Sequence, residues 1–170
     1  MLKPRYFKQP RSLPNGEAAP EPLSFTVSRT SRFNEVDSLG IVWHGHYAGY
    51  FEDARVAFGE HYGLGYRAMY DAGFLAPIKQ LGVDYDAPLV FGQQCVITAV
   101  LFWNEAARLD FEYSIKDLEG RELTRGYTVQ LFLNASGELL FAKPDFYESF
   151  CLRWKEGAMP QHRVSGSDSP

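Results

Sequence analysis

The stretch DSLGIVWHGHY at 37–47 gathers the side chains best suited to chemistry: a carboxylate at Asp37, a glycine at Gly40 and imidazoles at His44 and His46. A carboxylate can attack an acyl carbon or draw a proton from water, and an imidazole can hold a substrate or a water. Gly40 permits the sharp or positive-φ turn that would fold Asp37 back over the residues that follow. Two readings of Asp37 stay open on residue type alone. It closes a turn ahead of a glycine, or it is a catalytic carboxylate facing the unpaired N–H groups at the start of a helix. His44 is equally readable as a packed histidine, and as a metal pair His44 and His46 have only Asp37 nearby as a third ligand, so no metal site is expected.

The elements that must position these groups follow from hydrophobic period. Before the motif, Leu23, Phe25 and Val27 alternate with Ser24, Thr26 and Ser28, the period of a half-buried strand. After it, Tyr47, Tyr50, Phe51, Ala54, Phe58, His61 and Tyr62 recur at spacings of three and four, which predicts an amphipathic helix of about four turns. Gly63 and Gly65 are its stops. Alternation returns over 81–87 and ends at Pro88; 93–103 is almost continuously apolar, as in a central strand; and 107–115 alternates cleanly. The turns DLEGR and NASGE then lead into strands at 122–133 and at LLFA, 139–142. The order is one strand, one long helix, then antiparallel strands: an α+β fold in which a single helix covers the sheet.

The whole chain has 170 residues, of which 45% are hydrophobic and 22% charged, enough for one domain with a real core. The net charge of −4 and the lack of a recurring basic block argue against nucleic acid as a partner. No apolar run is long enough for a membrane span or a signal peptide, and Cys95 and Cys151 lack metal or redox spacing, so a cytoplasmic protein with reduced thiols is expected. Half of the ten prolines lie within the first 22 residues. Residues 1–22 are therefore read as a flexible arm, 23–155 as the domain and 156–170 as a disordered tail.

The pattern Asp37, Gly40, Val42, His44 and Tyr47, followed by YFEDAR at 50–55, resembles the hotdog-fold acyl-CoA thioesterases of the 4-hydroxybenzoyl-CoA thioesterase and YbgC-like type. The likeness spans roughly residues 23–145, with Val36 standing where that family usually has threonine. It implies an antiparallel sheet of five to six strands wrapped around one long helix, and hydrolysis of acyl-CoA or acyl carrier protein thioesters. Asp37 would be nucleophile or general base, with the backbone N–H near His44 polarising the carbonyl. Gly40, Val42, Trp43, Tyr47 and Glu52 would contribute to substrate binding. No cofactor is implied beyond the CoA of the substrate.

The resemblance also implies a homodimer or homotetramer with sites at the subunit interface, which agrees with the exposed sheet edges that a lone subunit of this pattern would carry. Two other functions stay open: a hotdog hydratase or dehydratase, against which the seven-residue interval from Asp37 to His44 counts, and a non-catalytic protein binding acyl chains or another protein. Among other polar residues, Glu52 is either a helix carboxylate for catalysis or the solvated partner of Arg55. His61 falls on the apolar stripe, Arg125 interrupts an apolar strand, and Lys143 is a surface lysine by default.

Overall fold

The computed structural model describes residues 6–161. The expected antiparallel sheet is present and has five strands: β1 (Leu23–Thr30), β3 (Ile78–Tyr85), β4 (Gln94–Phe102), β5 (Arg108–Lys116) and β6 (Glu122–Leu131), in the spatial order β1-β4-β5-β6-β3. Register follows the apolar alternation. Leu23, Phe25 and Val27 lie opposite Leu101, Ala99 and Ile97, and the last two face Tyr113 and Ile115 across the next ladder, so one face of the sheet is dry from β1 to β5. The helix α1 (Tyr47–Tyr62) packs on that face and buries Tyr50, Phe51, Ala54 and Phe58. It stops at Gly63, whose φ of 77° lets its N–H return to the Gly59 carbonyl.

Close approach of α1 to the sheet depends on Gly126. A Cβ there would fall 2.3 Å from the Phe51 ring and 2.7 Å from the Gly82 carbonyl oxygen. Phe51 instead stacks on Tyr113, with ring centroids 4.6 Å apart.

Three expectations are corrected. The first concerns the helix count: α1 is the long helix on the sheet, as expected, but it is not the only helix. Besides the short α2 (Tyr66–Asp71), a further helix α3 (Asp145–Lys155) buries Tyr147, Phe150, Cys151 and Trp154, which share one face at spacings of three and four. Asp145 and Glu148 sit in its first turn and Arg153 and Lys155 in its last, the arrangement that complements the helix dipole. Tyr147 packs on Phe132, and Trp154 on Trp103.

The second is the strand at 139–142. Asn134 closes the preceding turn with its side chain, accepting the N–H groups of Ser136 and Glu138. Only an isolated bridge between Leu133 and Leu139 follows before the chain bends toward Pro144, leaving Phe141 90% exposed. The strand partner of this region is elsewhere, in the two-stranded pairing of β2 (Phe74–Leu75) with β7 (Leu133–Asn134).

The third is the flexible arm. Over its described part, residues 6–22 lie on the domain. Leu13 is 5% exposed and belongs to the same buried cluster as Phe58 and Trp154, and the Trp154 indole N–H donates to the Glu21 carbonyl at 2.8 Å. Prolines there stiffen a packed segment. Beyond α3, Met159, within the tail expected over 156–170, packs against the core, while residues 162–170 of that tail lie outside the described residues, as do residues 1–5 of the arm. Cys95 and Cys151 are both buried and free.

Candidate active site

The loop that carries Asp37 is sewn to its surroundings before the motif begins. At the end of β1 the Ser31 hydroxyl donates to the Val90 carbonyl at 2.5 Å, and the Ser31 N–H to the Gln93 carbonyl, joining the loop to the connection between β3 and β4. A single 3-10 turn, Phe33–Glu35, then buries Glu35 at 5% exposure. Its carboxylate accepts the Tyr50 hydroxyl at 2.7 Å and the Arg32 N–H at 2.8 Å, and pairs with the Arg29 guanidinium. Arg29 also pairs with Asp53 and lies 3.9 Å from the centre of the Tyr50 ring. Burial opposes ionisation of Glu35, but the Tyr50 and Arg32 hydrogen bonds and the Arg29 charge outweigh it, so its pKa is lowered.

From this anchor the chain makes a tight reversal. Val36 bridges Val42, the Asp37 N–H donates to the Ile41 carbonyl, and the Gly40 N–H, at φ 74°, returns to the Asp37 carbonyl. The Asp37 side chain is half-buried, and its Oδ1 accepts the Leu39 N–H at 2.8 Å. Asp37 thus performs the turn-closing role, with one carboxylate oxygen held and its direction fixed. The reversal lays residues 41–43 beside Asp37 as they run into the helix.

A 3-10 turn, His44–His46, leads directly into α1. The Trp43 N–H donates to the Glu35 carbonyl, and the Trp43 carbonyl accepts the His46 N–H. The His44 carbonyl accepts the Tyr85 hydroxyl at 2.8 Å. Peptide groups are planar and trans, so fixing these two carbonyls turns the N–H groups of His44 and Gly45 the opposite way, out of the helix start, where a helix has no acceptor of its own. The Trp43 ring lies against His44 and His46 and directly over Gly45, where a Cβ would fall 1.9 Å from it. Glycine is the residue that allows this layering.

The expected site residues divide into two groups. Asp37, Gly40, Val42, Trp43, His44 and Tyr47 are joined by the turn and the helix start. Within that group Val42 and Tyr47 are 2% exposed and act as anchors: the Val42 N–H donates to the Leu89 carbonyl, and the Tyr47 hydroxyl accepts the Leu89 N–H. Trp43 is half-exposed, as is Tyr85, and Phe33, Leu39, Val90 and Phe91 add apolar surface to the same end of the molecule. Glu52 stands apart, 57% exposed and 3.7 Å from the Arg55 guanidinium. His61 packs between Phe25 and Tyr62, Arg125 pairs with Asp86 and Glu122, and Lys143 pairs with Glu105 over the Trp103 ring.

Glu35, Gly45 and Tyr85 escaped the sequence reasoning. The signal for Glu35 was Arg29, a charge at a dry-face position of β1 directly after Leu23, Phe25 and Val27, which demands a buried acid. An apolar cavity of about 260 Å3 lies under the other half of α1, between Arg55, Leu64, Met69, Leu109, Phe111 and Gln130. Among the described residues no three His, Cys, Asp or Glu side chains converge as a metal site would require, and no helix is long and apolar enough to cross a membrane.

A family model described as the thioesterase-like superfamily matches residues 31–153. YneP of Bacillus subtilis, named as a candidate acyl-CoA thioesterase, is 30% identical over 108 residues, which are 64% of this chain and 66% of YneP. Among solved structures, the hypothetical protein TT1821 of Thermus thermophilus is 30% identical with a TM-score of 0.68, covering 75% of this chain and 97% of its own. A DHNA-CoA thioesterase of Staphylococcus aureus is 23% identical with a TM-score of 0.67, covering 79% and 95%, a likeness of fold.

Proposed function

Because this chain belongs to the thioesterase-like superfamily, we propose that it hydrolyses acyl-CoA or acyl carrier protein thioesters to a free acid and a thiol, with Asp37 as nucleophile or general base. The observation that supports this reading is the reversal at Gly40, which holds one Asp37 carboxylate oxygen on the Leu39 N–H and turns the chain back through residues 41–43 into the start of α1; in this reading the Asp37 carboxylate and the His44 and Gly45 N–H groups face a common acyl group. Two such N–H groups are what an acyl-transfer site needs to hold the oxyanion.

In this reading the thioester carbonyl oxygen accepts from those N–H groups. Either water adds to the carbonyl carbon as Asp37 Oδ2 takes its proton and the C–S bond then breaks, or Asp37 attacks the carbon, the C–S bond breaks to leave an acyl-enzyme anhydride, and water then hydrolyses the anhydride. In both routes the thiolate leaves readily because thiols are acidic near pH 8.5. The His44 imidazole, exposed beside the Trp43 ring, would hold the substrate or a water. The apolar cavity beneath α1 begins at Arg55, eight residues or about 12 Å along the helix from Tyr47, and suits the far end of an acyl group. No cofactor enters beyond the CoA that the substrate carries.

The site is read as completed by a second copy. Leu81, Val83 and Tyr85 of β3 lie on the helix side of the sheet, opposite Thr128, Gly126 and Thr124, yet Leu81 is 44% and Tyr85 50% exposed. Pairing β3 with its own copy would extend the sheet, and the partner would cover these side chains, giving a homodimer with Tyr85 at the seam. The buried thiols suit the reducing cytoplasm.

The test is thiol release from short, branched, long and aromatic acyl-CoAs, with Asp37→Asn beside the wild type. Asparagine keeps the Oδ1 acceptor for Leu39, so the turn should survive while kcat/KM falls by about 10²- to 10⁴-fold. Full activity in Asp37→Asn, or no thiol released from any thioester, would refute the proposal.

A further inference from the structure

We propose that residues 6–22 form an intramolecular cap on the outer face of the sheet, and that this cap keeps a second copy of the folded chain from stacking there. The face away from α1 is not uniformly polar. Val100 and Phe102 of β4 lie on it with Tyr127 and Val129 of β6, opposite the positions that face the helix. Tyr127 spreads this apolar surface toward the edge: its ring lies flat on Gly82 of β3, where a Cβ would fall 2.2 Å from it.

The segment lies on this patch. Tyr6 packs on Tyr127, with ring centroids 4.7 Å apart and the planes tilted by 40°, and donates its hydroxyl to Asp84 Oδ2 at 2.5 Å. Phe7 sits against both Phe102 and Tyr127, at 6.1 and 5.8 Å, and donates its N–H to Glu112 Oε1 at 2.7 Å. Gln9 accepts the Trp103 N–H and donates to the Pro20 carbonyl, and a bridge between Ser12 and Ala18 closes the loop that buries Leu13. A few residues therefore touch β3, β6, β5 and β4 in turn, nearly the full width of the sheet.

Two sheets pack face to face at about 10 Å with their side chains interdigitated. A length of main chain lying over Tyr127 and Phe102 fills that space. With the segment removed, the aromatic patch would be exposed, ringed by Asp84, Glu112 and Glu122 together with Lys116 and Arg125. A surface bearing both signs of charge can meet its own copy about a two-fold axis, acid against base, and an apolar patch with such a rim invites association. The occupant expected on the uncapped face is thus a second copy. This inference does not depend on the proposed activity.

The experiment compares the full chain with a form lacking residues 1–10 and with the double variant Tyr6→Ser/Phe7→Ser, by light scattering across a wide concentration range. The wild type should hold one mass, and both altered forms should reach twice that mass as concentration rises. Tyr6→Phe, which keeps the ring and loses the bond to Asp84, covers the case in which the harsher forms do not fold, and should shift partway. Hydrogen exchange of the Phe7 amide in the wild type should be slowed. Unchanged mass in every variant, association without a defined doubled species, or a Phe7 amide exchanging as fast as in an unfolded peptide would each overturn the proposal.

Discussion

The hydroxyl of Tyr50, one turn into α1, donates to the Glu35 carboxylate across 2.7 Å, and both side chains are buried. Asp37 stands two residues from this bond, so its loop is moored to the helix that it faces. Arg29 extends the mooring to β1, and the Trp43 N–H brings the far side of the loop back to the Glu35 carbonyl.

Replacing Glu35 by alanine should therefore cost about 3–5 kcal/mol, the range for removing one partner of a buried pair, measured by urea unfolding at neutral pH. The pH dependence follows from the lowered pKa of Glu35. The unfolded carboxyl takes up a proton more readily than the folded one, so its contribution is complete above the unfolded value of about 4.3 and drains away as pH falls through the lower folded value. Between neutral pH and about pH 3 the wild type should lose more stability than Glu35→Gln. Equal losses in the two proteins would show that this carboxylate is not the group responsible.

Gly45→Ala places a methyl group within 1.9 Å of the Trp43 ring, which must move and disturb the peptide it covers. A displacement of about 1 Å at a catalytic position can cost roughly 10²-fold in rate, and a fall of that order in kcat/KM is expected, with a change in tryptophan fluorescence. The double variant Gly45→Ala/Trp43→Ala relieves the clash and should recover part of the loss, a coupling of about 0.5–3 kcal/mol. Additive effects would mean that the ring does not set the geometry.

Gly126→Ala tests how the helix sits on the sheet. The Phe51 ring could swing away from the new methyl, but the Gly82 carbonyl 2.7 Å from it belongs to the β3–β6 ladder and cannot yield without opening that pairing. A loss of about 1–3 kcal/mol is expected from overpacking, read from thermal or urea unfolding, with Phe51→Leu in the same chain restoring little of it. A neutral Gly126→Ala would mean that the helix has slack over this ladder.

What could be seen in the sequence was whatever repeats locally. β1 shows its alternation, and α1 its three-four spacing and glycine stop, because each is a property of neighbouring residues. Asp37, Gly40 and His44 were visible for the same reason, since a turn is local chemistry. Glu35 was not, because its burial depends on Arg29 and Tyr50, six and fifteen positions away, which meet only after β1 and α1 pack. The helix α3 presents just four buried positions after a proline, and the apolar LLFA before it reads as a strand until Asn134 is seen to hold the turn. The prolines of residues 10–22 suggest disorder by composition, while the contacts of Tyr6, Phe7 and Leu13 lie with residues far along the chain.

Those distant contacts bear on biosynthesis. Phe7 leaves the ribosome 105 residues before Glu112, its acceptor; at 5–20 residues per second this is a wait of about 5–20 s. Until Phe102 and Tyr127 are made, the rings of Tyr6 and Phe7 lack the surface they pack on, and they are free for a chaperone to hold. A stretch translated well before its partners is among the last to reach its final place.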